Sequence, residues 1–452
     1  MASSNGVRQG DVLASIAFAI TVQPIFQACL QRKAKGFAII DDFTITGPLH
    51  DVAASYMELK LRCDRINFKV NTKKTFIYIP EPNDIPADFA QWADKQRLEI
   101  KHHATSLGTI MTRDNQKTTE FLAKKLAEID QTCDLLCSEQ VSAQVALLLQ
   151  TRCLIPKFHF LARTLPPSNA LTNFASHFDS KMFNLFTRIT DTYSVLLFGS
   201  LAHRQLVLPF RFAGRSILSI QSLLPILQMS SLISAIKDLD AMLPTTGSPA
   251  LAFPLIWHTI TSTLHTILPS QRDMPTPLLP NSPDQLWSSF ARTHQDKIQH
   301  TLSEYFYRDQ HQALAQDPQT NIFDRYRLIA LTHKNTALIY NTLPTSRSLA
   351  LTNNEIHQLT LFHSGLSLPY SVPGHCLLCS SHYDPRYTSH AMSCPATRRN
   401  NVTARHEYVV KAIHLLALEA HAHVKHEPRL GLEHTNRHPD LLLMFHTGES
   451  RA

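Results

Sequence analysis

Hydrophobic residues recur along the chain with two different periods, and the change falls near residue 115. Before it, short apolar runs that alternate with polar positions predict strands, and two longer stretches have helical spacing. The helices are predicted over 12–30 and about 51–66, and the strands in a hairpin between them, near 69–79 and at 106–112. This mixture indicates an α+β fold.

Beyond residue 117 the helical period dominates. Apolar residues at spacings of four and three predict one amphipathic helix, carried by Leu122, Leu126, Ile129, Cys133 and Leu136. Prolines become frequent between about 240 and 285, which is typical of a linker. Helical patterns return at 284–315, 321–343 and 402–421.

The apolar run near the N-terminus predicts a buried helix rather than a membrane anchor. Residues Leu13, Ile16, Ala17 and Ile20 follow helical spacing, and the run ends at Gln23-Pro24. It is therefore shorter than the roughly 20 residues that a membrane-spanning helix needs. We expect an intracellular protein, in the nucleus or cytoplasm, with no membrane partner.

Composition is that of a globular chain, with 44% hydrophobic residues. Lys and Arg number 43 against 36 Asp and Glu, a net charge of +7 that suits a polyanionic partner. The eight cysteines are scattered except for one group near the C-terminus, so we expect no disulfide framework.

Two adjacent carboxylates, Asp41 and Asp42, interrupt the predicted hairpin between strands at 37–40 and 43–46. At a tight turn they would repel each other, and divalent cations would remove that repulsion. Phosphoryl transfer by two metal ions uses carboxylates of this kind. The pair alone is a weak signal, because such turns are also common at solvated surfaces.

The neighbouring motifs point to a family. Asn5-Gly-Val-Arg-Gln-Gly-Asp11 precedes the hairpin, and Asn71-Thr-Lys-Lys74 and Ser106-Leu-Gly-Thr-Ile110 follow it. This order resembles the reverse transcriptase palm of non-LTR retrotransposons and group II introns, over about residues 1–115. The resemblance implies an RNA-directed DNA polymerase that acts on an RNA template with a DNA primer or target DNA, and whose only small-molecule substrates are dNTPs.

The resemblance also implies roles for single residues. Asp41 and Asp42 would bind Mg²⁺, and Lys74 would lie near the triphosphate. The template and incoming nucleotide would be faced by Arg8, Gln9 and Gly10.

Departures from the family pattern predict a defective catalytic centre. Ile39-Ile40 stands where the family has an aromatic residue followed by Ala. In the family, the fingers and a further metal-binding aspartate precede the Arg-Gln-Gly-Asp segment, which begins here at residue 8. Neither Asp51 nor Asp64 matches the missing ligand. We therefore expect weak or vestigial Mg²⁺ binding and no DNA polymerisation by this chain alone.

A second candidate site has the spacing Cys376-x2-Cys379-x10-His390-x3-Cys394. Four such ligands predict a closed, structural Zn²⁺ site. His375 and His382 are rival ligands, which we interpret as flanking residues.

The residues after the cysteine group are similar to the C-terminal end of retrotransposons that carry a restriction-enzyme-like endonuclease. The matching elements are Arg405-His406, Glu427-Pro428 and Pro439-Asp440. The resemblance implies Asp440 as a Mg²⁺ ligand. In that family a later strand supplies a further acidic residue, and here only Glu449-Ser-Arg451 resembles it superficially. We therefore expect no DNA nicking.

These patterns predict five regions: a partial reverse transcriptase palm (1–115), a thumb-like helical region (116–240), a proline-rich linker with a helical connector (241–345), a zinc-knuckle region (346–398) and a truncated endonuclease-like segment (399–452). The chain is then a polymerase fragment or a nucleic-acid-binding remnant without catalysis. A third alternative is an expressed pseudogene product without function.

Overall fold

The computed structural model describes residues 13–39, 42–242, 258, 297–344 and 350–367, with short stretches between 374 and 451. It divides into two compact units. Unit 1 comprises Met1–Ser138, Leu149–Phe183 and Leu218–Gln310, and unit 2 comprises Glu139–Leu148, Asn184–Ile217 and His311–Ala452. The five regions expected from the sequence remain a prediction.

Helices account for most of the regular structure. They are α1 (Ala14–Cys29), α2 (Leu49–Arg65), α3 (Ala87–Lys95), α4 (Asn115–Leu136), α5 (Ala143–Leu149), α6 (Ile155–Thr164), α7 (Asn169–Ile189), α8 (Leu201–Leu206), α9 (Ile220–Met242), α10 (Ile298–Gln316), α11 (Ile322–Leu331), α12 (Leu338–Asn341) and α13 (Asn353–Ser364).

The strands are short and form small sheets. They are β1 (Lys35–Ile39), β2 (Asp42–Thr46), β3 (Phe76–Tyr78), β4 (Glu99–Lys101), β5 (Ala104–Ser106), β6 (Thr109–Met111), β7 (Gly374–His375), β8 (His382–Tyr383), β9 (His423–His426), β10 (Leu441–Met444) and β11 (Ser450–Arg451). Pairs β1–β2, β5–β6 and β7–β8 are antiparallel, β3–β4 is parallel, and β9 to β11 form a three-stranded sheet. Helices combined with small sheets confirm the α+β class.

The first core of unit 1 lies where α1 packs on α2. It contains the buried residues Val22, Phe26, Cys29, Leu59 and Cys63. On α1 these residues are spaced by four and three positions, so they form one stripe of the helix. Further apolar contacts come from other residues of α1, from the β1–β2 hairpin and from the segment that follows α2.

The prediction that α1 buries its first apolar stripe is wrong. Leu13, Ile16 and Ile20 are 66%, 57% and 68% exposed, whereas Val22 and Phe26 are buried. Both stripes have helical spacing, and the packing of α2 against the second half of α1 decides which one is covered. Helical spacing identifies a helix but does not by itself select its buried face.

A Leu-Gly turn joins β5 to β6 within the stretch 106–112, where the sequence predicted one strand. Ser106 pairs with Thr109 across a two-residue loop in which Leu107 and Gly108 have φ of 51° and 83°. Two consecutive positive φ values are the signature of a type I′ hairpin turn, which accounts for the glycine.

Helix α4 has the buried stripe that its sequence predicts. Leu122, Ile129, Cys133 and Leu136 are buried. The helix begins after Asp114, whose side chain accepts hydrogen bonds from the backbone N–H groups of Gln116 and Lys117.

An aromatic cluster anchors the helical part of unit 1. Phe158 of α6 contacts Phe174 and Phe178 of α7, with ring centroids 5.8 and 4.6 Å away. Nearby, Asp179 of α7 accepts hydrogen bonds from the backbone N–H groups of Ile220 (2.8 Å) and Gln221 (3.1 Å). A side chain of one helix therefore caps the N-terminus of another.

Among the described residues, one helical segment, Ala143–Thr164, is long and apolar enough to cross a membrane. The core helix of a globular protein passes the same test, and 44% of its most apolar stretch is buried. In its second half, Ile155, Phe158 and Leu161 are 1–3% exposed. This segment is therefore weak evidence for a membrane helix, and the intracellular location remains a prediction.

Unit 2 is organised around Gln205 of α8. Its side-chain amide donates to the carbonyl oxygens of Ala213 (2.8 Å) and His363 (3.0 Å), and its Oε1 accepts from Arg327 Nη1 at 2.8 Å. One buried glutamine therefore joins α8, the loop that follows it, α11 and α13. Helix α13 begins with a capping box between Thr352 and Glu355.

Candidate functional site

Asp42 lies at the start of the second strand of the β1–β2 hairpin. Ile39 pairs with Asp42 across the two strands, so Asp42 is the first residue of β2. The intervening residues Ile40 and Asp41 lie outside the described part of the chain. The predicted hairpin is confirmed, and the Asp42 side chain is exposed.

One face of the hairpin packs on the α1–α2 core. The rings of Phe26 and Phe43 stack with centroids 4.2 Å apart and an interplanar angle of 3°. Gly36 lies beneath this contact, and a Cβ there would come within 2.8 Å of the Phe43 ring. Because side chains alternate along a strand, this packing turns Phe37 and Ile39 to the opposite face, where each is 46% exposed.

The turn that carries Lys74 borders the same core. Phe68 and Val70, immediately before it, pack against the core that also contacts Phe43. The carbonyl oxygen of Asn71 accepts hydrogen bonds from the N–H groups of Lys74 (3.1 Å) and Thr75 (3.0 Å). The Asn-x-x-Lys element is thus a closed turn with an exposed Lys74.

The described residues do not complete a Mg²⁺ site. Within that part of the chain, Asp42 belongs to no group of three potential ligands close enough to share one ion. Asp51 is buried, with its carboxylate accepting from the Lys33 N–H at 3.3 Å. One exposed carboxylate does not fit a two-metal centre, which requires several.

The candidate metal centre lies beside the β7–β8 hairpin. Cys376 and Cys379 stand in the loop between these strands, where the Cys376 N–H donates to Ser381 O (2.8 Å) and the Ser380 N–H to Cys376 O (2.7 Å). Ser380 has a φ of 58°, a left-handed conformation that is uncommon outside glycine. The tight loop turns both thiols to the same side.

Three sulfur atoms meet at this loop. The Sγ atoms of Cys376, Cys379 and Cys394 all lie within 4.8 Å of one another, and Cys394 is 2% exposed. Cys376 Sγ and Cys394 Sγ are 3.7 Å apart. This is far longer than a disulfide bond of about 2.05 Å. It matches the edge of about 3.8 Å in a tetrahedron with metal–sulfur bonds of about 2.3 Å, so the cluster could hold a metal ion.

Hydrogen bonding favours the ligand form of Cys379. The Ser381 hydroxyl and backbone N–H, followed by the thiols of Cys394 and Cys376, lower the pKa of Cys379 to about 6. The thiolate is the form that binds metals. Ser381 was not expected from the sequence, because a serine two residues after a ligand carries no distinctive signal.

Among the described residues, no fourth potential ligand joins the three cysteines. The rings of His375 and His382 contact each other edge to face at 5.4 Å, and neither lies in the sulfur cluster. This agrees with their interpretation as flanking residues. His390, the predicted ligand, lies outside the described part of the chain, as do Arg8, Gln9, Gly10 and Asp440.

No protein-family model matches the chain, and no curated protein matches it at a significant level.

Proposed function

We propose that the chain is the palm and thumb portion of a retroelement RNA-directed DNA polymerase, with a zinc module, and that it binds nucleic acid without polymerising DNA by itself. The register of the β1–β2 hairpin is the main support, because the Ile39–Asp42 pair is consistent with an aspartate pair at the turn. The order of sequence motifs around that hairpin is the reason for proposing this family.

The packing of the hairpin also favours this proposal. Its inner face and the segment before Lys74 border one core, which is built on the helix that follows the Arg-Gln-Gly-Asp segment. A polymerase palm needs these three elements near one another, with carboxylates to bind metal and a cation to offset phosphate charge.

Loss of catalysis is supported by the surroundings of Asp42. In the described part of the chain it has no further ligands with which to share an ion. Binding needs fewer groups than catalysis, because cations contact phosphates without a metal centre. The alternative is a domesticated retroelement protein that binds nucleic acid and never carried out catalysis in its present form.

Primer extension tests the catalytic half of the proposal. The purified chain is given an RNA template, a DNA primer, dNTPs and Mg²⁺, and we expect no extension. Template-dependent extension that disappears in Asp41→Ala and Asp42→Ala, but persists in Asp64→Ala at an exposed position of α2, would overturn inactivity and establish a polymerase.

Fluorescence anisotropy with a labelled RNA–DNA duplex tests the binding half. We expect affinity to fall as salt rises, because binding releases counterions from the phosphates. Absence of binding at low salt would reject nucleic-acid binding both by a polymerase fragment and by a domesticated retroelement protein.

We further propose that Cys376, Cys379, His390 and Cys394 hold a structural Zn²⁺. The 3.7 Å sulfur separation and the low pKa of Cys379 support this donor set. When bound, the ion would link the loop between β7 and β8 to the distant Cys394.

For the C-terminal segment we propose a nuclease ancestry without activity, with Asp440 as its remaining acidic ligand. We expect supercoiled DNA with Mg²⁺ or Mn²⁺ to remain intact. Nicking that depends on Asp440, as judged against Asp440→Ala, would contradict this expectation.

A further inference from the structure

Unit 2 buries an arginine that has no acidic partner among the residues that the structure describes. Arg215 lies in the loop after α8 and is only 5% exposed. Its Nη2 atom is fully buried and has no hydrogen-bond partner in the described part of the chain. Arginine remains charged in proteins, so this side chain places a positive charge in the interior.

The contacts of Arg215 do not neutralise that charge. Its guanidinium lies 3.7 Å from the centroid of the Tyr340 ring, a cation–π contact. Burial lowers the pKa of Arg215, Tyr340 opposes this change, and the positive charge of Arg327 reinforces it. No carboxylate contributes among the described residues.

Arg327, a second arginine of unit 2, does have an acidic partner. Arg327 donates to Asp324 Oδ1 through Nε at 3.1 Å and Nη2 at 3.0 Å, and through Nη1 to Gln205 at 2.8 Å. The fold therefore pairs Arg327 with an acid next to it on α11. Arg215 lies in the same unit, where the described part of the chain supplies no such acid.

His363, next to Tyr340, does not supply a negative charge that would compensate Arg215. His363 Nδ1 lies 2.8 Å from the Tyr340 hydroxyl. Burial, followed by Arg215 and Arg327, lowers the pKa of His363 to about 3, so its ring is neutral at pH 7. An uncompensated buried charge is costly, and an anion would remove most of that cost.

We infer that Arg215 anchors a binding site for a compact oxyanion, such as inorganic phosphate, where the loop after α8 meets α12. A guanidinium matches oxyanions through its planar set of N–H donors. A nucleic-acid backbone could not reach a side chain that is 95% enclosed, so the ligand is a small ion. This site is independent of the proposed polymerase ancestry.

Thermal unfolding of the full chain tests the site. Phosphate replaces chloride at constant ionic strength, and we expect the melting temperature to rise and then saturate, because a ligand that binds the native state stabilises it. Arg215→Met removes the charge but keeps much of the side-chain length, and should abolish the phosphate response. Arg308→Met, at an exposed position of α10, should retain it.

Equilibrium dialysis with labelled phosphate covers the case in which Arg215→Met does not fold. We expect one saturable site in the unaltered chain and at least tenfold weaker binding in Arg215→Lys, because lysine lacks the planar fork. The inference is overturned if the unaltered chain shows no saturable phosphate binding, or if the Arg215 variants bind phosphate as the unaltered chain does.

Discussion

The Sγ atoms of Cys376 and Cys394 lie 3.7 Å apart although the two residues are 18 positions apart in sequence. Two reduced thiols gain little from such an approach, because S–H is a weak hydrogen-bond donor. A tetrahedral metal ion would hold both at this separation. If a metal ion holds the two sulfur atoms, the purified protein should contain it.

Cys394→Ser is expected to reduce bound zinc from about one ion per chain to near zero, because three ligands without the buried thiol leave the ion open to solvent. Zinc is measured by mass spectrometry of the purified, desalted protein. Cys153→Ser, at an exposed cysteine outside the cluster, should retain full zinc. Clearly less than one zinc per unaltered chain would reject the site.

Phe43→Ala should destabilise unit 1 by about 2 kcal/mol, because it removes the ring stacked on Phe26 and leaves a cavity against the α1–α2 core. Urea unfolding followed by circular dichroism measures the change. Phe37→Ala, in the opposite strand with its ring turned outward, is the matched control and should cost at most about 0.5 kcal/mol. Equal costs for the two variants would show that both faces of the hairpin are covered.

Gly214→Ala should cost more than about 3 kcal/mol, since its Cβ would lie 1.8 Å from the backbone oxygen of Leu208. The loop would have to open, and soluble expression is expected to fall. Gly199→Ala is the control: its φ is 81° but no atom lies within 4 Å of the added Cβ. It should cost only the conformational penalty of about 1 kcal/mol. A mild effect at Gly214 would mean that the loop has another conformation.

Asp179 predicts a pH dependence of stability. Burial raises its pKa from 3.8 to about 6, despite hydrogen bonds from Ser219, Ile220 and Gln221. Between these values the folded chain keeps a proton that the unfolded chain has lost. The resulting stabilisation is therefore complete below about pH 4 and is lost as pH rises through 6.

The difference amounts to roughly 2 kcal/mol and is measured by urea unfolding between pH 4 and 7. Asp179→Asn should flatten this part of the profile, whereas Asp88→Asn, in the exposed first turn of α3, should leave it unchanged. A profile that keeps its slope in Asp179→Asn would assign the titration to another group.

Local signals predicted much of the fold. The stripe of α4 and the β1–β2 hairpin each depend on residues a few positions apart, and the structure confirms both. The cysteine spacing likewise predicted a group of three thiols that meet.

Sequence patterns did not predict burial where it depends on a contact with a residue far away in the sequence. Leu13 and Val22 both lie on apolar stripes of α1, and only contact with α2 decides that Val22 is buried. Arg215 would be expected at the surface on composition alone, because arginine is rarely buried. Its burial depends on Tyr340, 125 positions away.

The sequence by itself therefore determined most of the element types and the three thiols of the candidate metal centre, because periodicity and ligand spacing are local properties. Only the tertiary structure decided which face of α1 is covered, which loop encloses a positive charge and how close Cys376 comes to Cys394. These outcomes depend on packing and desolvation between segments far apart in the chain, and neither quantity is carried by a single stretch of residues.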